Sequence, residues 1–186
     1  MPLFDADALR QHRDLVARMA DGDSTALTEL HQAHVSLLYG LVRRILVDQE
    51  EVREVVQDTF VKAWNQAGAY RPERGEVHSW LVFIARNLAI DRLRRRSRRA
   101  AAMAEFAKDV EDSEPAAPRE STERRDLLDQ TLTGLSPEQR QALELAFFRG
   151  YSQSEIADEM DTPVGNVKNH LRRGLLKLRQ IIQRHD

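Results

Sequence analysis

The chain has no cysteine among its 186 residues. This absence excludes a disulfide framework, a thiolate zinc site and a cysteine nucleophile. Long apolar runs are also missing, and no stretch approaches the roughly 20 residues that a membrane-spanning helix needs. The opening residues, MPLFDADALRQHRD, are acidic and contain no apolar run, so we expect no signal peptide. The expected class is a soluble protein of a reducing compartment, with room for one or two small domains.

The alternation of apolar and polar residues that is typical of strands is lacking too. Apolar residues recur instead at steps of three, four or seven. That is the period of helices that pack against one another, and it runs through residues 27–45, 52–64 and 77–88. Between residues 104 and 126 the periodicity fades and acids outnumber bases, so little apolar surface is available to offset ordering of the backbone. We therefore predict an all-α protein of two small helical domains, 1–100 and 129–186, joined by a flexible acidic linker, 101–128.

The second domain is dense in signals for helix starts. Ser136 opens a capping box in SPEQ, Ser152 opens another in SQSE, and Thr162 precedes a proline at a third start. Gly150 is placed to end the first helix. The predicted helices run from about 137 to 149, from after Ser152 to about 160, and from 163 onward. A short helix, a tight turn and a longer helix form a helix-turn-helix.

The third helix of this domain has the chemistry of a DNA-reading helix. No acid lies between Asp161 and Asp186, whereas six bases do. We expect an apolar row from Val167 through Leu175 to Ile182 to be buried. Asparagine and arginine on the opposite face can pair with base edges in the major groove, and basic neighbours suit phosphates. The candidate duplex-binding residues are Asn166, Lys168, Asn169, His170, Arg172 and Arg173. The plainer alternative is a basic helix that only aids solubility.

The stretch IARNLAIDRLRRRSRR holds seven arginines and one acid, although the formal net charge of the chain is −2. Steps of three and four connect residues just before and within this stretch: Trp80, Phe83, Asn87, Asp91, Arg94 and Arg98. Unpaired bases stack on such rings while a basic track follows the strand's backbone. The candidate single-strand residues are Trp80, Phe83, Arg86, Asn87, Asp91, Arg92, Arg94, Arg95 and Arg98. The alternative is a structural helix that buries its aromatics and solvates its arginines.

Three stretches resemble the extracytoplasmic-function (ECF) sigma factors of bacterial RNA polymerase. They are VVQDTFVKAW (55–64), SWLVFIARNLAIDRLRR (79–95) and LSPEQRQALELAFFRGYSQSEIADEMDTPVGNVKNHLRR (135–173). The resemblance implies an alternative sigma factor that binds core RNA polymerase and directs promoter recognition, −10 melting and transcription initiation. It assigns core and −10 binding to the first domain (sigma region 2) and −35 binding to the second (sigma region 4). The single-strand candidates then bind the −10 element and the duplex candidates the −35 element.

The resemblance also supplies partners. It implies docking on core polymerase through Gln57, Asp58, Val61, Lys62 and Trp64, together with an anti-sigma factor, a cytoplasmic location, no cofactor and no enzymatic activity. The sequence departs from the family pattern at Val77, where many members carry an aromatic residue. It departs again in GNVKNH, where GTVKSR is commoner, and at Asp161, where glycine is frequent. The departures in the third helix leave the −35 sequence open but not the role of the helix.

Two other classes of protein fit parts of the sequence less well. A response-regulator-type helix-turn-helix transcription factor can carry a similar recognition helix, but no βαβ pattern precedes the linker. An enzyme needs a nucleophile paired with a base or a phosphate-binding loop, and neither is evident. His31 and His34 stand at i and i+3 and could share a metal, but two ligands from one helix are too few. We therefore expect these histidines to pack or to face water.

Overall fold

The computed structural model describes residues 6–106 and 134–184. Both ranges consist of helices and turns without a strand, which confirms the all-α prediction. The chain divides into two compact units, within residues 1–118 and 119–186. Within the described ranges, no helix is long and apolar enough to cross a membrane.

The first unit contains four α-helices. They are α1 (Ala6–Ala20), α2 (Ser24–Val42), α3 (Gln49–Gln66) and α4 (Val77–Phe106), with 3₁₀ turns at Ala67–Ala69 and Pro72–Arg74. Aspartates cap two of them: Asp23 accepts a hydrogen bond from the backbone N–H of Thr25, and Asp48 accepts from the N–H groups of Glu50 and Glu51. α4 continues past residue 100, the predicted end of the first domain. Most of the predicted linker lies outside the described residues, so its boundaries stay predictions.

The core of the first unit lies where α2 packs against α1, α3 and α4. The predicted apolar stripes supply it, since Leu30, Leu38, Val52 and Leu81 are all fully buried. α3 also packs directly against α4. Burial of one face of each helix leaves the opposite faces of α3 and α4 exposed, and these faces carry the predicted polymerase and −10 residues.

One residue of this core is a histidine. His34 is only 1% exposed, and its ring lies edge-on to that of His12, with centroids 4.5 Å apart. Burial, followed by the charges of His12 and His78, lowers the pKa of His34 to about 4. His31 is exposed, with its ring against Phe60. The prediction that these two histidines pack or face water is therefore confirmed. No cluster of three or more potential metal ligands occurs in the described ranges.

The second unit has the predicted helix order. α5 (Pro137–Glu144) continues into a π-helical turn (Leu145–Arg149), and α6 (Gln153–Glu159) and α7 (Val164–Arg184) follow. Both capping boxes are formed, at Ser136 with Gln139 and at Ser152 with Glu155. Gly150 ends the first helix in the left-handed region, with φ 68°. The predicted helix starts are thus confirmed.

The core of the second unit is small. The fully or largely buried members are Ala142, Ile156, Ala157 and Val167, with Leu145, Ala146, Met160 and Leu171 packed against them. The predicted apolar row along α7 is wrong at Leu175, which is 59% exposed. Successive residues turn about 100° around an α-helix, so Leu175 lies roughly 80° away from Val167. Gly174 takes the buried position instead, because a Cβ there would lie 2.8 Å from Leu143 Cδ1.

Candidate nucleic-acid interface

The exposed stripe of α4 starts with aromatic side chains. Phe83 is 63% exposed, although the helix packs against three others. Trp80 is half-buried, and its ring lies against Tyr70 with centroids 5.1 Å apart. The Tyr70 hydroxyl donates a hydrogen bond of 2.9 Å to the carbonyl of Gly75. Phe83 therefore offers an open ring face for stacking, whereas part of the Trp80 surface is used in packing.

Asn87 and Arg86 lie next along the helix and contact each other. Both are half-buried, and Arg86 Nη1 donates a hydrogen bond of 3.3 Å to Asn87 Oδ1. Burial and the nearby Arg94 lower the pKa of the Arg86 guanidinium. A phosphate placed between the guanidinium groups of Arg86 and Arg94 would stabilise the positive charge of both.

The arginine run divides between two faces of α4. At about 100° per residue, Arg94 and Arg98 continue the stripe that begins at Trp80 and Phe83. The exposed members beyond Asn87 are Asp91, Arg94 and Arg98, with Arg95 beside them. Arg92 projects roughly 200° around the helix from Arg94 and therefore points to the other side. The stripe predicted from the sequence is thus present, but Arg92 lies off it.

Arg92 is engaged with acids of α3. Its Nη2 donates to Glu54 Oε2 at 2.7 Å, and its Nη1 lies 3.9 Å from Glu51 Oε1. The Arg92 side chain is 33% exposed. Arg96, which follows Arg92 on that face, helps to lower the pKa of Asp48, where the main causes are the backbone N–H groups of Glu51 and Glu50.

The predicted polymerase-docking residues lie mainly on the outer face of α3. Gln57, Asp58, Val61 and Lys62 are all exposed, and Trp64 is half-buried. Val61 is 53% exposed, which is high for a branched apolar side chain. The inner face of the helix is filled with buried side chains that anchor it to the unit. The outer face can therefore bind a partner without disturbing the core.

In the helix-turn-helix, α6 and α7 are joined by a four-residue turn in which Asp161 takes the left-handed conformation, with φ 45°. Asparagine and aspartate adopt that conformation more readily than most residues, which explains an aspartate where the family often has glycine. Of the six predicted α7 residues, His170 is half-buried and the others are exposed: Asn166, Lys168, Asn169, Arg172 and Arg173. The Asn166 amide donates to Thr162 Oγ1 at 3.4 Å.

The six α7 residues fall on two faces, as predicted. By helical geometry Asn166, Asn169, His170 and Arg173 lie within about 100° of one another, whereas Lys168 and Arg172 form a second line. This second line borders a shallow groove that also contains Gln153 and three leucines, Leu171, Leu175 and Leu176. Lys168 and Arg172 thus lie where apolar and basic surfaces meet.

Sequence reasoning missed the residues that hold α4 in place. Glu51 and Glu54, which pair with Arg92, were not predicted as its partners. Tyr70, which packs against Trp80, was not singled out. Helical periodicity relates neighbours three or four residues apart, whereas Glu54 and Arg92 are 38 residues apart in the chain. The excess of acids at the start of α3 was the one available signal.

Two protein families match the chain. Residues 30–99 match Sigma-70 region 2, and residues 125–178 match Sigma-70 region 4. The ECF RNA polymerase sigma factor SigK of Mycobacterium ulcerans (strain Agy99) is 30% identical over 175 residues, which cover 90% of this chain and 91% of that protein. SigK of Mycobacterium sp. (strain KMS) is 28% identical over 174 residues, with 90% and 89% covered.

A solved structure, CnrH in complex with the cytosolic domain of CnrY, is 28% identical to this chain. The alignment covers 95% of this chain and 99% of that one, with a TM-score of 0.44.

Both family matches are sigma regions and neither is a response-regulator domain, so the response-regulator alternative is set aside.

Proposed function

The chain belongs to the extracytoplasmic-function sigma factors of bacterial RNA polymerase, and we propose which of its surfaces perform each step of initiation. It is an alternative sigma factor that directs transcription initiation, and it is not itself an enzyme. In our proposal the first unit docks on core polymerase and captures the opened −10 strand, while the second binds the −35 duplex. The unit boundaries proposed are 1–100 and 129–186, with 101–128 as the linker.

Docking on core polymerase is assigned to the outer face of α3. The residues proposed are Gln57, Asp58, Val61, Lys62 and Trp64. Asp58 and Lys62 carry opposite charges beside the exposed Val61. This face can therefore make both polar and apolar contacts, as protein interfaces commonly do. The neighbouring Phe60 is buried, so the docking face is held by the core of the unit.

Capture of the −10 strand is assigned to the exposed stripe of α4, and the exposed ring of Phe83 carries this assignment. An aromatic ring that is 63% exposed in line with Asn87, Arg94 and Arg98 is suited to stack an unpaired base while guanidinium groups follow its backbone. Opening a duplex costs about 1.4 kcal/mol of stacking per step. Stacking on an aromatic side chain returns only ~1–3 kcal/mol per base. We therefore expect the chain alone not to hold a bubble open without polymerase.

Binding of the −35 duplex is assigned to α7. Asn166, Asn169, His170 and Arg173 are proposed to face base edges, where asparagine and arginine pair with adenine and guanine. Lys168 and Arg172 are proposed to contact phosphates, which position the helix without reading sequence. The left-handed conformation of Asp161 supports the assignment, because it lies in the tight turn that a helix-turn-helix has between its two helices.

Partners and location complete the proposal. Core RNA polymerase and promoter DNA are the partners that the family requires. We propose a cytoplasmic location because both of these partners are found there. Because the chain belongs to the extracytoplasmic-function sigma factors, we propose that it also has an anti-sigma factor as a partner. No cofactor is assigned, since the chemistry of initiation belongs to the polymerase.

The experiment that tests the −10 assignment compares two apolar substitutions. Transcription with purified core polymerase on a promoter library first selects a promoter. Phe83→Ala is then assayed by permanganate footprinting on the duplex promoter. Transcription is measured both on the duplex promoter and on a template that is already melted at the −10 element. We expect opening and transcription to be lost on the duplex and transcription to be partly rescued on the melted template, with closed-complex formation unchanged. Val47→Ala is the control, because Val47 is 60% exposed but lies in the turn before α3. An equal loss on both templates would remove Phe83 from the melting step.

A further inference from the structure

Arg92 has acid partners on another helix. Its guanidinium lies 2.7 Å from Glu54 Oε2 and 3.9 Å from Glu51 Oε1, both on α3. The second oxygen of Glu51, Oε2, is buried and has no hydrogen-bond partner among the described residues. A partly buried carboxylate is stabilised by a nearby cation, so Glu51 favours keeping Arg92 where it lies.

The direction in which the Arg92 side chain projects also separates it from the exposed stripe of α4. Arg92 lies roughly 200° around α4 from Arg94, and Arg94 continues the stripe of Phe83 and Asn87. A single strand that follows this stripe passes along the side of the helix opposite to Arg92. Its phosphates would have to compete with two carboxylates to reach the Arg92 guanidinium.

The pair also joins the two working helices of the unit. Glu54 lies one helical turn before Asp58 of the proposed docking face on α3. Arg92 lies two residues before Arg94 on α4. The ion pair therefore connects α3, the helix assigned to polymerase binding, with α4, the helix assigned to DNA binding. It does so next to the residues proposed to make each contact.

We propose that Arg92 is a positioning residue rather than a DNA ligand: with Glu51 and Glu54 it fixes the arginine-rich half of α4 against α3. The exposed stripe of α4 is thereby held in a set orientation relative to the polymerase. Arg94 and Arg98 form the phosphate track without Arg92, while Arg95 lies about 60° around the helix from both Arg92 and Arg98. The inference rests on the proposed −10 function and deepens it, because it divides the arginines into those that touch DNA and those that aim the helix.

The test measures binding of holoenzyme, reconstituted with core polymerase, to a fluorescent single strand that carries the −10 element of the library-selected promoter. Each affinity is measured across a series of salt concentrations. A lost phosphate contact lowers the slope of log affinity against log salt by about 0.7 for a single strand. We expect Arg94→Ala to show that lower slope. Arg92→Ala should weaken binding about fivefold, the ratio that corresponds to an ion pair worth ~1 kcal/mol, with the slope unchanged.

A charge exchange gives the sharper readout. The double variant Arg92→Glu with Glu54→Arg should recover most of the affinity lost in Arg92→Ala, although it puts an acid where a phosphate contact would need a base. Thermal unfolding and core binding are measured for every variant. Loss of the ion pair should lower the unfolding temperature of Arg92→Ala slightly, so DNA affinities are compared at a temperature where every variant is folded and binds core polymerase. Arg10→Ala is the control, because Arg10 pairs with a carboxylate inside α1 only.

The outcomes separate the inference from the function on which it rests. If Arg94→Ala leaves the slope unchanged, the proposed phosphate track on α4 is wrong. If Arg94→Ala lowers the slope and Arg92→Ala lowers it equally, the track stands and only the positioning role of Arg92 is overturned. A charge exchange that binds more weakly than Arg92→Ala would overturn it as well.

Discussion

Replacing His34 by leucine should make the first unit more resistant to acid. The side chain is 1% exposed in the core between α1, α2 and α4, and neither ring nitrogen has a hydrogen-bond partner among the described residues. His12 and His78 face it, and their charges disfavour its protonation. The ion pair of Glu76 with Arg13 lies next to His78 on the same side of the unit. Leucine has a similar volume and carries no ionisable group.

The size of the effect follows from the shift in pKa. The pKa of His34 is about 4 in the folded chain, against 6.5 for an ordinary histidine. Because the folded value is the lower one, the unfolded chain binds the proton first as the pH falls. Stability is therefore fully present above about pH 6.5 and is lost as the pH approaches 4. By linkage the loss from His34 alone reaches up to roughly 2.5 kcal/mol at about pH 4.5.

The assay is urea unfolding followed by tryptophan fluorescence. Trp64 and Trp80 are the only tryptophans of the chain, and both lie in the first unit, so the signal reports that unit alone. When the pH is lowered from about 7.5 to 4.5, the free energy of unfolding falls in both proteins. The fall should be roughly 2.5 kcal/mol smaller for His34→Leu than for wild type. His31→Gln, which removes an exposed imidazole from the same helix, should behave like wild type. Parallel curves for His34→Leu and wild type would refute the buried-histidine argument.

Four further outcomes are expected. Phe60→Ala, at a side chain 4% exposed, should cost ~3–5 kcal/mol in a melt. Asp58→Lys should leave the melt unchanged and weaken a core-polymerase pull-down; an unchanged pull-down removes Asp58 from the docking face. Arg173→Ala should lose ~1–3 kcal/mol of discrimination at particular −35 positions, whereas Lys168→Ala should weaken all sequences equally and flatten the salt dependence; an identical uniform loss contradicts these roles. Gly174→Ala should not give the stabilisation of ~1 kcal/mol that helix propensity alone predicts, because the new Cβ would lie 2.8 Å from a side-chain carbon of α5. Calorimetry that shows the full stabilisation would contradict this.

Local signals were enough to predict the helices of the second unit. The capping boxes at Ser136 and Ser152, the left-handed residue Gly150 and the turn at Asp161 each depend on residues within a few positions of one another. The apolar row of α7 failed at Leu175 for a physical reason. A closely approaching helix selects a glycine at the point of contact, and a hydrophobic pattern has no way to mark a buried glycine.

The candidate site was predictable along each helix but not between helices. The α4 stripe from Phe83 to Arg98 follows from helical period alone. The packing of Trp80 against Tyr70 and the burial of His34 depend on which helices meet, and the sequence pattern does not state this. Half-burial of Trp80 accordingly limits its share in stacking, a correction that only tertiary contacts could supply.

The arginine run and the net charge of −2 are reconciled by the two faces of α4. Arg92 and Arg96 project toward the start of α3, where Glu51, Glu54 and Asp48 lie. Exposed charges interact appreciably only within about 8–10 Å at physiological salt, so these acids act on the inner arginines more than on those of the opposite face. The stripe with Arg94 and Arg98 therefore keeps a positive local field although the chain as a whole is slightly acidic. Within the first unit, phosphates are attracted to that stripe more than to the opposite face of α4, because exposed charges act mainly within one screening length whereas net charge describes the whole surface.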